Sequence, residues 1–91
     1  MTNLKISSEA QKIHSESIVF DAHIDTATHL LWREPDFSQR LEAGHVDIPR
    51  LKEGGVDAAF FAVWISEENS DMDAMRLAIR EIDAIHRTVE A

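Results

Sequence analysis

The chain of 91 residues contains no cysteine. That excludes a disulfide framework, a thiolate metal site and a thiol nucleophile, and it fits a reducing compartment. Basic residues are scarce: 9 Lys and Arg stand against 17 Asp and Glu, a formal net charge of −8. Without a Lys/Arg cluster to displace counterions, the chain is poorly suited to a nucleic-acid backbone or an anionic membrane surface. Long apolar runs are also missing. The longest, Ala58 to Ile65, is far too short to cross a bilayer, and Met1 to Ala10 carry no apolar segment behind a basic start. Glycine is rare, and the pair Gly54-Gly55 is too sparse to cradle a phosphate. No serine nucleophile elbow or Walker-type lysine occurs. Together these absences lead us to expect a soluble, cytoplasmic protein with no nucleic-acid or membrane partner.

What is present suits a globular chain. Hydrophobic residues make up 44% and charged residues 29%, a composition that can build a core rather than stay disordered. Area scaling gives a folded surface of roughly 5,400 Å² against about 15,000 Å² unfolded, enough for one small domain and not for two. Ser8 and Gln11 have capping-box spacing ahead of a helix over 8–16. Ser17 to Asp25 begin β-branched and aromatic and read as a strand, with Ile18, Phe20, Ala22 and Ile24 on one face and Val19, Asp21, His23 and Asp25 on the other. Thr26 to Trp32 fit a helical turn, and 33–36 a loop. Asp47 is placed to cap a short helix over 48–53, with Pro49 in its first turn and Gly54-Gly55 ending it in a left-handed conformation. Val56 to Ile65 are apolar on both faces apart from Asp57, as in a strand covered on both sides. A last helix of about twenty residues follows Ser70, and its buried face is expected at Met72, Met75, Ile79, Ile82, Ile85 and Val89. This order indicates parallel βα units.

His23 and Asp25 are the principal candidates for chemistry. Two residues apart at a strand end, they point to one side, and an imidazole with a carboxylate can provide two donors for a divalent metal. The spacing alone is a weak signal and favours a plain hydrogen-bonded pair over a metal site, since a catalytic site takes about three protein ligands and an open position. Asp21 shares the face and is a candidate for orienting a metal-bound imidazole; its alternative is a carboxylate satisfied by neighbouring backbone. His29, just past the strand end, could face the same cleft, but a purely structural role is favoured for it. His45 is expected to fix the loop before Asp47, His86 to pack half-buried on the last helix, and His14 to stand alone. Phe60, Phe61 and Trp64 read as sheet core.

Three blocks carry a resemblance. Val19-Phe20-Asp21-Ala22-His23-Ile24-Asp25 resembles the opening strand of the zinc membrane-dipeptidase (renal dipeptidase) family, commonly Asp-Gly-His-Asn-Asp. The stretch from His45 through Asp47-Ile48-Pro49-Arg50-Leu51 to Gly54-Gly55-Val56 is similar to that family's second block. Ala59-Phe60-Phe61-Ala62-Val63-Trp64 stands where its Gln-Phe-Trp-Ser-Val-Tyr occurs, and Ile82-Asp83-Ala84-Ile85-His86-Arg87 also resembles the family. The similarity runs over about residues 10–91.

The resemblance implies an α/β fold, the N-terminal two βα units of a (β/α)8 TIM barrel of the amidohydrolase type, with residues 1–91 as a single partial domain. It implies a metallopeptidase holding two zinc ions and hydrolysing dipeptides, with His23 and Asp25 binding one zinc. The bridging glutamate, the two further histidines and the proton-transfer aspartate of that family have no counterpart here, and no catalytic residue is assigned. Ala22 and Ile24 depart from the usual Gly and Asn without removing a ligand, while Thr26-Ala27 in place of Leu-Pro alters the cleft wall and Trp64 in place of Tyr bears on substrate preference. A barrel of this kind takes roughly 250 residues, so the remainder of the barrel is an expected partner, and a homodimer stays open. Alternatives are another amidohydrolase-type hydrolase, or an inactive fragment serving as a folding or binding module.

Overall fold

A computed structural model describes residues 4–91. The elements follow in the order α1 (Ser8–Glu16), β1 (Phe20–Ile24), α2 (Ala27–Arg33), α3 (Ile48–Glu53), β2 (Ala58–Phe61) and α4 (Asp71–Glu90). Helix α1 has the expected extent, but its cap is Ser7 rather than Ser8. Ser7 is extended (φ −64°, ψ 151°) and its hydroxyl accepts from the Ala10 N–H, so the one residue with non-helical backbone takes the capping role. The sequence places two serines in tandem, and spacing cannot choose between them. Asp47 and Ser70 cap α3 and α4 as expected, accepting from the Arg50 and Asp73 N–H groups.

The two strands pair in parallel, Phe20 with Ala58, Asp21 with Ala59 and Ile24 with Phe61. Three steps on β1 match two on β2, a bulge that breaks strict alternation at Ala22-His23. Asp57 clamps the start of the pair: its main-chain N–H donates to the Val19 carbonyl (2.9 Å) and its carboxylate accepts from the Val19 N–H (2.8 Å). One bond past β2, from the Ala62 N–H to the Ile24 carbonyl, closes the ladder at 2.8 Å. The strand expected over 56–65 is therefore only four residues long, because β1 offers no further backbone for Val63 to Ile65 to pair with.

Helix α2 packs on α4. It ends at Glu34, which is left-handed (φ 44°), before Pro35, whose ring disfavours helical geometry in the residue preceding it. The core gathers Leu30 and Leu31 from α2, Phe37 from the following loop and Ala84 from α4, with Leu41, Val46, Leu51, Phe61, Leu77 and Ile85 packed around it. The face of α4 turned inward is therefore not the expected one. Of the predicted stripe only Ile85 packs; Met72, Met75, Ile79, Ile82 and Val89 are exposed, while Glu81 and Ala84 are buried. The small side chain of Ala84 lets the two helices approach, and the helix carries a second stripe of apolar residues that no described neighbour covers. Phe60 and Trp64, read as sheet core, are exposed, and Phe60 lies beside the exposed Phe20 with ring centres 5.0 Å apart. Among the described residues no helix is long and apolar enough to cross a membrane.

Candidate functional site

The site is built on the C-terminal end of β1. Ile24 is buried, and its neighbours His23 and Asp25 flank it on the open side. The His23 Nε2 and Asp25 Oδ1 atoms are 3.0 Å apart, with both side chains about two-thirds exposed (66% and 65%). The convergence inferred from alternation is thus present despite the bulge. Asp21 reinforces the bend: its Oδ1 accepts from the His23 main-chain N–H at 2.9 Å. Its contact is with the backbone of His23 rather than with the ring, so any orientation it gives the imidazole runs through the main chain.

An imidazole nitrogen and a carboxylate oxygen suit zinc, and ligands at about 2.0–2.2 Å place donor atoms roughly 3–3.5 Å apart. The pair fits two corners of such a centre, with a metal replacing the hydrogen bond now joining the two side chains. Among the described residues no group of three or more His, Cys, Asp or Glu side chains could hold a metal ion, so the remaining donors are not in this set.

The segment 37–55 is organised by Asp47, which is fully buried. Its Oδ1 accepts from the Arg50 N–H (2.8 Å), and its Oδ2 accepts from the Leu41 N–H (3.0 Å) and from Arg50 Nε (2.6 Å). Burial pushes this carboxyl up, but the two backbone N–H groups and the Arg50 side chain outweigh it and hold it below its ordinary value. The Ile48 N–H also donates to the Phe37 carbonyl at 3.0 Å. The Asp-Ile-Pro-Arg block is therefore a knot that ties the loop down to α3, with no role at the metal pair visible in its contacts.

The profile of the membrane dipeptidase family (peptidase family M19) matches residues 7–91. The chain belongs to that family. Human Dipeptidase 3 is 30% identical over 89 residues, covering 92% of this chain and 18% of that protein. Mouse Dipeptidase 3 is 40% identical over 48 residues, covering 53% of this chain and 10% of that protein. The chain thus spans less than a fifth of the length of these dipeptidases.

Within this family member the other histidines stand apart from the His23–Asp25 pair. The His29 ring lies against Gly44, where a Cβ would come within 3.0 Å of it. His14, expected alone, donates from Nε2 to the Gly54 carbonyl at 2.6 Å and so ties α1 to the end of α3. His45 and His86 are exposed; His86 shares the uncovered side of α4 and so misses the packing expected of it. The residue that sequence reasoning missed is Glu81. It is only 2% exposed on α4, and its Oε1 accepts from the Thr28 hydroxyl of α2 at 3.0 Å. Burial pushes this carboxyl up, and the Thr28 bond opposes that only in part. Its position four residues after Leu77 and three before Ala84 is the spacing signal that placed it inward.

Proposed function

We propose that this chain forms the opening part of a zinc-dependent dipeptidase, with its two strands belonging to a (β/α)8 barrel and His23 and Asp25 holding one of two zinc ions at the barrel mouth. The observation that carries this reading is the convergence of His23 Nε2 and Asp25 Oδ1 at the C-terminal end of β1, in a chain of the membrane dipeptidase family. Zinc, when bound, supplies Lewis acidity and lowers the pKa of a coordinated water toward neutrality, which suits hydrolysis of the peptide bond of a dipeptide. His23 would contribute an imidazole nitrogen and Asp25 a carboxylate oxygen. Asp21 fixes the main chain between them, and buried Ile24 keeps both side chains turned to the open side. The 91-residue chain by itself is proposed to be inactive, because two donors leave the metal mostly solvated and its water weakly activated.

The test is zinc binding followed by the histidine ring signals in NMR and by titration calorimetry. Zinc is expected to shift the His23 ring ahead of the other four histidines, and His23→Ala is expected to abolish that binding. Equal response of all five rings, or unchanged binding in His23→Ala, overturns the assignment. Zinc-dependent turnover of an L,L- or L,D-dipeptide by the 91-residue chain would show that these residues hold a complete site.

A further inference from the structure

Beside the mouth, between α2 and α4, a second feature stands apart from the metal pair. A cavity of about 220 Å³ is lined by Thr28, Trp32, Trp64, Asn69, Leu77 and Glu81, among others. Its chemistry is one-sided. Glu81 is buried and has only the Thr28 hydroxyl on Oε1. The Asn69 amide nitrogen is engaged with the Ser66 carbonyl (3.1 Å), which leaves its side-chain oxygen as a further acceptor. Among the described residues no Lys, Arg or His lines the cavity. A site offering acceptors and a carboxylate attracts a cation, and the chain's charge of −8 favours one further.

The kind of cation follows from the walls. Calcium and magnesium take six or more oxygen ligands, and one carboxylate with an amide oxygen falls well short. Two indole rings are instead the surfaces on which organic cations rest. Trp32 already does this on the molecule's surface, where the Arg80 guanidinium carbon is 5.1 Å from the ring centre. The volume lies below the roughly 300–1,000 Å³ of sites for drug-sized ligands, so the occupant is small.

We propose that this cavity is a binding site for a primary alkylammonium group, with Glu81 as its counter-ion and Trp32 and Trp64 as its walls. The group is supplied either by a free amine or by a lysine side chain. None of its residues belongs to the metal pair, but Trp64 also stands at a position that the family resemblance gives to the substrate cleft, so Glu81→Gln and His23→Ala are the variants that separate the two readings.

Both tryptophans of the chain line the cavity, so intrinsic fluorescence reports on it directly. The 91-residue chain is titrated with n-butylammonium chloride, with Nα-acetyl-lysine amide, and with n-butanol as the uncharged control, all at matched ionic strength. A saturable change is expected with one or both ammonium probes and none with n-butanol. A response to both identifies the free amine as sufficient, and a response to the lysine derivative alone identifies a peptide-borne source. Glu81→Gln, which keeps shape and removes charge, is expected to weaken the midpoint at least about ten-fold, the scale of one lost charge contact. Trp64→Ala, with Trp32 left as reporter, is expected to weaken it as well. An equal response to n-butanol, a non-saturating response to the ammonium probes, or an unchanged midpoint in Glu81→Gln with circular dichroism intact overturns the proposal.

Discussion

Asp47 and Glu81, the two acids buried among the described residues, are driven in opposite directions by their surroundings. Asp47 receives two backbone N–H groups and the Arg50 side chain, so its charged form is favoured despite burial. Its folded-state pKa lies below the ordinary 3.8, so the stability it contributes is present above that value and is lost as pH falls through the lowered one. Asp47→Ala is expected to lower Tm strongly at pH 7, because it removes the α3 cap, the Leu41 anchor and the Arg50 partner together. Asp47→Asn should recover part of that loss, and thermal melts of the two variants check the order. Glu81 has one donor for a whole carboxylate, and burial raises its pKa above the ordinary 4.5. Its contribution is complete below pH 4.5 and is lost as pH rises through the raised value, so burial of the carboxyl counts against folding on the high-pH side. Glu81→Gln is thus expected to stabilise the chain at pH 7, because it removes the ionisable carboxyl that burial disfavours while keeping the acceptor for Thr28. The gain should vanish at pH 4; urea melts at the two pH values are the measurement, and a gain independent of pH contradicts this account.

At the scale of elements, local rules and tertiary contacts can be separated at the junction of α1 and α3. Gly55 is left-handed (φ 71°), and a Cβ there would come within 2.8 Å of His14 Nε2. Gly54, which the Gly-Gly pair made an equal candidate, has φ −77° and is ordinary helical backbone. Gly55→Ala is expected to cost more than about 1 kcal/mol in urea unfolding, from backbone strain and from displacement of His14 together. Gly54→Ala should cost clearly less, since its Cβ would meet the Arg50 carbonyl at 3.3 Å and the Leu51 carbonyl at 3.8 Å, with no positive φ to strain. Helix starts and stops were legible in the sequence because caps and breakers act within four residues, as Asp47 and Ser70 illustrate. The His23–Asp25 pair was legible because alternation along one strand brings the side chains together without help from elsewhere. The bulge at Ala22-His23, the Leu41 contact of Asp47 and the His14 contact with Gly54 were not, because each joins segments whose approach is set by the whole fold. Glu81 was hidden for the same reason: its spacing placed it inward only once α2, not another neighbour, was known to cover that side of α4.

The whole molecule exposes more surface than a chain of its size ordinarily does. Its accessible area is 7443 Å², where scaling for 10.3 kDa gives about 5,400 Å². Its radius of gyration is 15.8 Å, where a compact chain of this length would have about 12 Å. Part of the excess is apolar and contiguous in sequence pattern. Met72, Met75, Ile79 and Ile82 recur at three- and four-residue steps on the uncovered side of α4, with Val89 two turns further on, and Phe20 lies against Phe60 on the sheet. Stripes of this kind ordinarily mark contact surfaces. The net charge of −8 opposes association, but that repulsion is screened by salt, whereas apolar contact is not. The 91-residue chain is therefore expected to self-associate, and to do so more at about 0.5 M salt than at about 0.02 M, where the Debye length falls from roughly 20 Å to about 4 Å. Sedimentation velocity across that range checks the direction. Paired substitutions Met75→Lys and Ile79→Glu, which interrupt the stripe at exposed positions without touching the α2 contact, should return the chain to monomer. A monodisperse monomer at both salt concentrations, or self-association unchanged in the paired variant, would mean that the uncovered side of α4 is not an adhesive surface and that the excess area is tolerated in isolation.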